Sequence, residues 1–294
     1  MKRARLPLTA LRSFEAAGRL QSFTAAAQEL FVSQAAISRQ VRELEDALGT
    51  ALFVRQHRKV ALTRDGAKLL AVLTQSFDAI EDSLRDMRAR PGSAEVTISV
   101  EPSFASCWLV SHLADFRRLH PEIDVNLDAD PRLVDFRAHP AEIAIRFSAT
   151  ATGWPRTRAV RLCDTRVTPV VARSSLEAGP ALETPKDLLD WPLLHEENRQ
   201  LWEQWLAAAG VTRGDLDRGS VFPDGGLVMN AVLGGQGAAI MDLTLASDRL
   251  ADGTLVRPFQ LTLDYGGYWL VSREGARLSE PAALFADWLR SCFA

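Results

Sequence analysis

Cysteine is scarce. The 294 residues hold three, Cys107, Cys163 and Cys292, an odd number at wide spacing with no CxxC pair. That argues against a disulfide framework and against a zinc site. Buried small apolar side chains are the commonest use of such cysteines, with a redox-sensing thiol as the lesser alternative. Long apolar runs are missing too, none approaching the about 18 residues of a membrane span. The opening stretch MKRARLPLTALRSFEAAG is basic but has no apolar core or cleavage site of a secretory signal. These absences predict a cytoplasmic protein with no membrane partner. Catalytic signatures are also absent: there is no G-x-S-x-G, no P-loop, no H-E-x-x-H and no proper dinucleotide fingerprint. GGQGAA at 234–239 is glycine-rich but lies in a helix-to-strand connection, and the five histidines are scattered. No enzyme activity, metal or cofactor is expected.

What is present is a globular composition, 47% apolar and 24% charged, in a chain long enough for two or three domains. The net charge is −3, unevenly placed. Residues 1–60 hold ten Lys and Arg against five Asp and Glu, a net of +5, which leaves −8 on the other 234. A basic head on an acidic body suits a polyanionic partner.

The head reads as helices joined by short turns. Thr9 is placed to cap a first helix with Leu11, Phe14 and Ala17 on one face and Gly18 as its stop. Ser22 caps a second, ending near Leu30, and Ser33 a third, running to the C′ glycine Gly49. Ile37, Val41, Leu44 and Leu48 form the buried stripe of the third. Its other side presents Gln34, Ala35, Ser38, Arg39 and Arg42. Two helices joined by a tight turn, the second polar at its N-terminal end, make a helix-turn-helix. Gln34, Ala35, Ser38 and Arg39 are predicted to read base edges in the major groove of double-stranded DNA. Arg42, further along, is predicted to contact phosphate, as are the caps Ser22 and Ser33. Leu52, Val54, Val60 and Leu62 flank a cationic tip with Arg55, Arg58 and Lys59, a hairpin wing suited to phosphates. The alternative is a solvated face on an ordinary helical hairpin.

Thr63 caps a further helix. Leu70, Leu73, Phe77, Ile80, Leu84 and Met87 recur at steps of three and four, a heptad seam that predicts pairing with the same helix of a second subunit. Residues 90–93, Arg-Pro-Gly-Ser, then break the helix as a hinge.

The segments LTALRSFEAA, SFTAAAQEL, VSQAAISRQVRELEDALG, LFVR and LTRDG together resemble the DNA-binding half of LysR-type transcriptional regulators. The resemblance continues through PSFASCWLVSHLADFRRLHPEIDV, EIAIRF, PLLH, GGQGAAI, LVRPF and YWLV, toward the subgroup of glycine-cleavage and β-lactamase regulators. It implies a winged helix-turn-helix in 1–62, a dimerising linker helix in 63–90 and an effector-binding domain in 91–294. That domain would be a two-lobed α/β unit like the periplasmic binding proteins, with lobe I in 91–166 and 268–294 and lobe II in 167–267. The resemblance further implies a homodimer, usually a homotetramer, on an interrupted palindrome, an activator working with RNA polymerase, and a small-molecule effector between the lobes.

In the sensor half itself, strand-like EVTISV, IDVNLDA, AEIAIRF, TRVTPVVA, SVFPD, GAAIM and YWLVS alternate with helices over 104–119, 201–209, from Gly226, and 282–292. Such alternation puts ligands at strand C-terminal ends. Two helix N-termini are predicted as anion sites, Pro102-Ser103-Phe104 and Asp224-Gly225-Gly226. By the resemblance, Ser103 matches a ligand-holding hydroxyl, Asp224 an Asp and Tyr268 a Tyr of the β-lactamase regulators, while Gly225 stands where a Ser is usual and Glu101 where a small residue is usual. Those departures weaken a cell-wall peptide as ligand. Arg146 would either pair with a ligand carboxylate or close an internal ion pair, and His195 would be structural. An Asp at one mouth and an Arg at the other suit a zwitterion such as an amino acid. A thiol-sensing regulator, or a binding protein without a DNA role, are the alternatives.

Overall fold

The computed structural model describes residues 6–55, 60–88, 94–132, 136, 139–211 and 219–294, with the side chains of 55, 81–83 and 85–88 left aside. The predicted wing tip, with Arg58 and Lys59, and the hinge at 90–93 lie outside the described residues, as do the Arg55 and Met87 side chains. The chain folds as two compact units, Met1–Ala89 and Arg90–Ala294.

In the first unit α1 (Leu8–Leu20), α2 (Phe23–Glu29) and α3 (Gln34–Leu48) surround Phe14, Ala17, Ala26 and Ile37, all fully buried. Thr9 is not the cap of α1; the helix begins at Leu8 after Pro7, which supplies no side-chain cap. Nor does Gly18 stop it. The helix continues to Leu20 and ends on Gln21 in the left-handed region. Gly18 is buried, and a Cβ there would press on Leu70 at 3.3 Å, so the glycine serves close packing. Ser22 accepts from the Ala25 N–H at 3.1 Å and Ser33 from the Ala36 N–H at 3.2 Å, the caps that start α2 and α3. Ile37, Val41 and Leu44 are buried, but Leu48 is 42% exposed. The chain reverses at Gly49 and returns to Glu45, whose carboxylate accepts from the Leu52 and Phe53 N–H groups, leaving Leu48 uncovered.

β1 (Phe53–Arg55) and β2 (Val60–Leu62) pair antiparallel as the wing, with Phe53 opposite Leu62. Phe53 packs on Phe14 and Phe23 with centroids at 5.3 and 5.2 Å. Thr63 Oγ1 accepts from the Gly66 N–H at 3.0 Å and so caps α4 (Arg64–Arg88). The heptad seam of α4 divides. Leu73 is buried in the head's own core, with Leu70 and Phe77 packed beside it, whereas Ile80 and Leu84 are 54% and 50% exposed. The first three seam positions are thus used within the subunit, because α1 lies against that part of α4 and the Thr74 hydroxyl donates to buried Glu15.

The second unit is built on one nine-stranded mixed sheet. β3 (Ala94–Val100) lies between parallel β4 (Ile123–Ala129) and β5 (Ile143–Ser148). β6 (Thr157–Ala172) is 16 residues long and passes from this first lobe into the second, where β7 (Leu193–Glu196), β8 (Val221–Phe222), β9 (Ala238–Asp242) and β10 (Leu255–Val256) extend the sheet. β11 (Leu263–Arg273) returns along β6 and ends beside β5. The crossing strand begins at Thr157, eight positions before TRVTPVVA, since β11 offers it a partner over that whole length.

The helices are α5 (Pro102–Phe104), α6 (Val110–Leu119), α7 (Arg173–Ala178), α8 (Gln200–Ala208), α9 (Gly225–Leu233), α10 (Ser247–Ala251) and α11 (Glu280–Ser291). A π-helical turn, Ala105–Leu109, joins α5 to α6, so the helix expected over 104–119 starts two residues earlier and is locally wider. Phe104, Leu109, Phe116 and Phe285 fill the first lobe's core, and Trp202 and Trp205 the second's. The Trp202 indole N–H donates to the Leu194 carbonyl at 2.9 Å, so its burial leaves no unmet donor.

Candidate functional site

The outer face of α3 is open. Gln34, Ala35, Arg39 and Arg42 are exposed and Ser38 is half-buried. Arg39 pairs with Glu43 at 3.0 Å, both in solvent, and Arg42 Nε donates to the Ser38 carbonyl at 3.3 Å. An exposed i,i+4 pair is worth less than about 1 kcal/mol, so either guanidinium is free to take a better partner. Beneath them α3 is held by its buried stripe of Ile37, Val41 and Leu44, while Arg19 meets Glu15 at 2.9 Å and also Glu29, tying α1 to α2.

The second site is a cavity of about 320 Å³ between the two lobes. Glu101, Ser103, Pro131, Phe147 and Tyr268 reach it from the first lobe. Glu196, Glu197, Asn198, Gln200, Gln204 and Ile240 reach it from the second, with Val167, Asp242 and Tyr265 between them. These side chains stand at strand ends: Glu101 follows β3, Phe147 lies near the end of β5, Glu196 closes β7 and Asp242 closes β9. Glu197 holds a left-handed backbone, φ +56°, which turns the chain from β7 toward α8 and gives Glu196, Glu197 and Asn198 to the cavity.

Of the predicted effector residues, Ser103 and Tyr268 line this cavity. Ser103 is buried and bridges the lobes: its hydroxyl accepts from the Gly225 N–H at 2.8 Å and donates to Glu196 at 3.2 Å. Gly225 therefore acts through its backbone, and a Cβ there would lie 3.2 Å from both Glu196 Oε1 and Ser103 Oγ. Phe104 sits in the core against Tyr268, with centroids at 4.7 Å. Asp224 caps α9, accepting from the Leu227 N–H at 3.0 Å, outside the cavity. Arg146 points to the other face of the sheet from Phe147. There it donates to Ser99 Oγ at 2.7 Å, the Arg132 carbonyl at 2.9 Å and the Ile145 carbonyl at 2.8 Å. Burial pushes the Arg146 guanidinium down, opposed by Asp130 and Asp128.

Both helix ends predicted to bind an anion are filled from within. The Glu101 carboxylate takes the Ser103 and Phe104 N–H groups at 2.9 and 2.8 Å, and at α9 the donors go to Asp224 and Ser103. The cavity is instead acidic. Desolvation of the carboxylate, and Glu101 nearby, push Glu196 up to about 7, although the residue keeps an exposed surface. Burial pushes Asp242 up to about 6. Sequence reasoning missed Glu196, Glu197, Gln204, Asp242 and Tyr265. The rule that ligands lie at strand C-terminal ends points to Asp242, directly after the predicted GAAIM strand, and would have found Glu196 had PLLHE been read as a strand.

Burial pushes Cys107 and Cys163 up to about 11 each, away from the thiolate needed for redox chemistry. Among the described residues no group of His, Cys, Asp or Glu is arranged to hold a metal ion, and no helix is long and apolar enough to cross a membrane.

A winged helix-turn-helix and, in the same chain, a two-lobed unit with a ligand-sized cavity define a class, the ligand-responsive transcriptional regulators. Residues 8–67 match the profile of the bacterial regulatory helix-turn-helix protein, lysR family, and residues 89–294 that of the LysR substrate binding domain. The chain belongs to the LysR family. It is 34% identical over 284 residues to the glycine cleavage system transcriptional activator of Escherichia coli strain K12, covering 96% of this chain and 92% of that one. It is 38% identical over 288 residues to the HTH-type transcriptional activator AmpR of Providencia stuartii, covering 98% and 96%. Among solved structures, the effector domain of AmpR from Pseudomonas aeruginosa superposes with a TM-score of 0.57 at 28% identity, over 68% of this chain and 95% of that one. Those relatives are transcriptional regulators, not enzymes.

Proposed function

We propose that this regulator works as a dimer through its linker helices, and as a pair of dimers, on an interrupted palindrome in promoter DNA. A small molecule in the inter-lobe cavity sets the balance between two arrangements of the assembly. The observation that supports the switch is the cavity itself, with walls from both lobes joined at Ser103, so that a ligand between them biases how the lobes close. On the DNA side, Gln34, Ala35, Ser38 and Arg39 read bases and Arg42 holds phosphate, a reading supported by the open face of α3. Activation is the output we favour, since the relatives above are named activators. For the amino-acid-like effector expected from the sequence, Asp224 caps α9 outside the cavity, and ammonium partners come instead from Glu101, Glu196 and Asp242. The carboxylate of such an effector has no counterpart in Arg146 or in either predicted helix end.

Plugging the cavity tests the switch. Gln204 is exposed at its rim, so Gln204→Trp should fill it without disturbing the core. A reporter on a promoter that the protein selects should lose its response to growth conditions, with DNA affinity unchanged. A full response in the plugged variant would contradict the reading.

A further inference from the structure

We propose that the effector is an organic cation, an amine with a small apolar body, gripped by Glu196, Asp242 and Glu101 against an aromatic wall of Phe147, Tyr265 and Tyr268. The inference rests on the cavity being the effector site and goes on to name the chemistry that fits it.

Four observations converge. Four carboxylates line the cavity, Glu101, Glu196, Glu197 and Asp242, and among the described residues no Lys, Arg or His does. An anion would meet four carboxylates and no side-chain cation there, and the donors at the two predicted helix ends are taken by Glu101, Asp224 and Ser103. Tyr268 is 3% exposed, and its hydroxyl forms no hydrogen bond among the described residues while facing Asp242, Glu101 and Glu196. That hydroxyl opens onto the cavity, so its hydrogen bonds are met by whatever occupies it. Finally, Phe147 stacks on Tyr265 at 5.1 Å and meets Tyr268 edge-on at 5.5 Å, giving the cavity ring surface suited to an ammonium.

A bare metal ion is the other occupant such carboxylates suggest. Among the described residues they do not converge as a metal site, and about 320 Å³ is far more room than an ion fills. The volume and the aromatic wall fit an organic body. Ionised Glu196 and Asp242 are what a cation stabilises, so binding releases protons and tightens as pH rises through the range where the two acids titrate.

The test compares matched pairs on the full chain by thermal unfolding. Butylamine, phenethylamine and putrescine are set against butyrate, phenylpropionate and succinate at millimolar concentration and constant ionic strength. At least one amine is expected to raise the midpoint, and none of the acids. The half-saturating concentration of that amine should rise about tenfold or more in Glu196→Gln/Asp242→Asn, as loss of charged hydrogen-bond partners implies. It should rise likewise in Gln204→Trp, which keeps both acids. If the acids shift the midpoint and Gln204→Trp abolishes that shift, the cavity binds effector but the cation claim falls. If the amine shift survives in both variants, binding lies elsewhere and the claim falls too. A midpoint unmoved by every amine also overturns it, leaving the cavity reading to the reporter test.

Discussion

At the scale of single residues, space and charge decide most of what substitution does. Gly66 follows the Thr63 cap, and a Cβ there would run into the Leu52 carbonyl oxygen. Backbone yields poorly, so Gly66→Ala should cost about 1–3 kcal/mol in denaturant unfolding. Gly49 has open space around it but a φ of +63°, so Gly49→Ala should cost only about 1–2 kcal/mol, from the left-handed backbone. A smaller loss at Gly66 than at Gly49 would contradict the packing account. Glu196 and Asp242 bear on pH. Their folded values, about 7 and about 6, lie above the ordinary 4.5 and 3.8. The folded state therefore binds more protons than the unfolded one between about pH 4 and 7, and stability falls as pH rises through that window. Glu101 and Glu197 face Glu196 and keep its ionisation unfavourable, while Ser103 and the Gly225 N–H ease it. Glu196→Gln should flatten the profile of unfolding free energy against pH. A slope unchanged by the substitution would show that Glu196 does not titrate in this range.

At the scale of elements, α4 holds two jobs along one helix. Leu73→Ala should destabilise the head by roughly 2–5 kcal/mol, since that side chain is 8% exposed in its core. Ile80→Glu with Leu84→Glu should leave the head's unfolding unchanged and convert the protein to monomers in light scattering. Dimers that persist would place the subunit contact elsewhere. The seam was legible in the sequence because its period is regular, yet periodicity alone does not say which partner a stripe meets. Here α1 takes the first half. The same limit explains Thr9 and Gly18, where residue preference pointed to a cap and a stop but packing against α4 and the start at Leu8 prevailed. The helix-turn-helix was legible nearly residue by residue, because Ser22 and Ser33 cap through local hydrogen bonds that short-range sequence encodes.

At the scale of the whole molecule, the head and the α/β sensor half could be read from a change of texture along the chain, whereas the division into two lobes comes only with the family resemblance, since β11 brings a late segment back to the first lobe. The cavity could not be read from texture. Its walls come from Glu101, Glu196, Asp242 and Tyr268, as many as 167 positions apart in sequence (101 to 268), and only the long strands β6 and β11 bring them together. Arg146 shows the converse: a lone cation near a strand end invited a ligand role, and the pleat sends it to the opposite face.

The central claim, that α3 reads bases, is tested most directly by fluorescence anisotropy. DNA selected from a random library by the wild-type protein would be compared with a scrambled duplex, for Arg39→Ala and Arg42→Ala. Arg39→Ala should lose about 1–3 kcal/mol on the selected site and little on the scramble, as loss of a base contact requires. Arg42→Ala should weaken both alike and lower the salt slope by about one, as a phosphate contact does. If Arg39→Ala weakened scrambled DNA as much as the selected site, α3 would be binding charge alone and the base-reading account would be wrong.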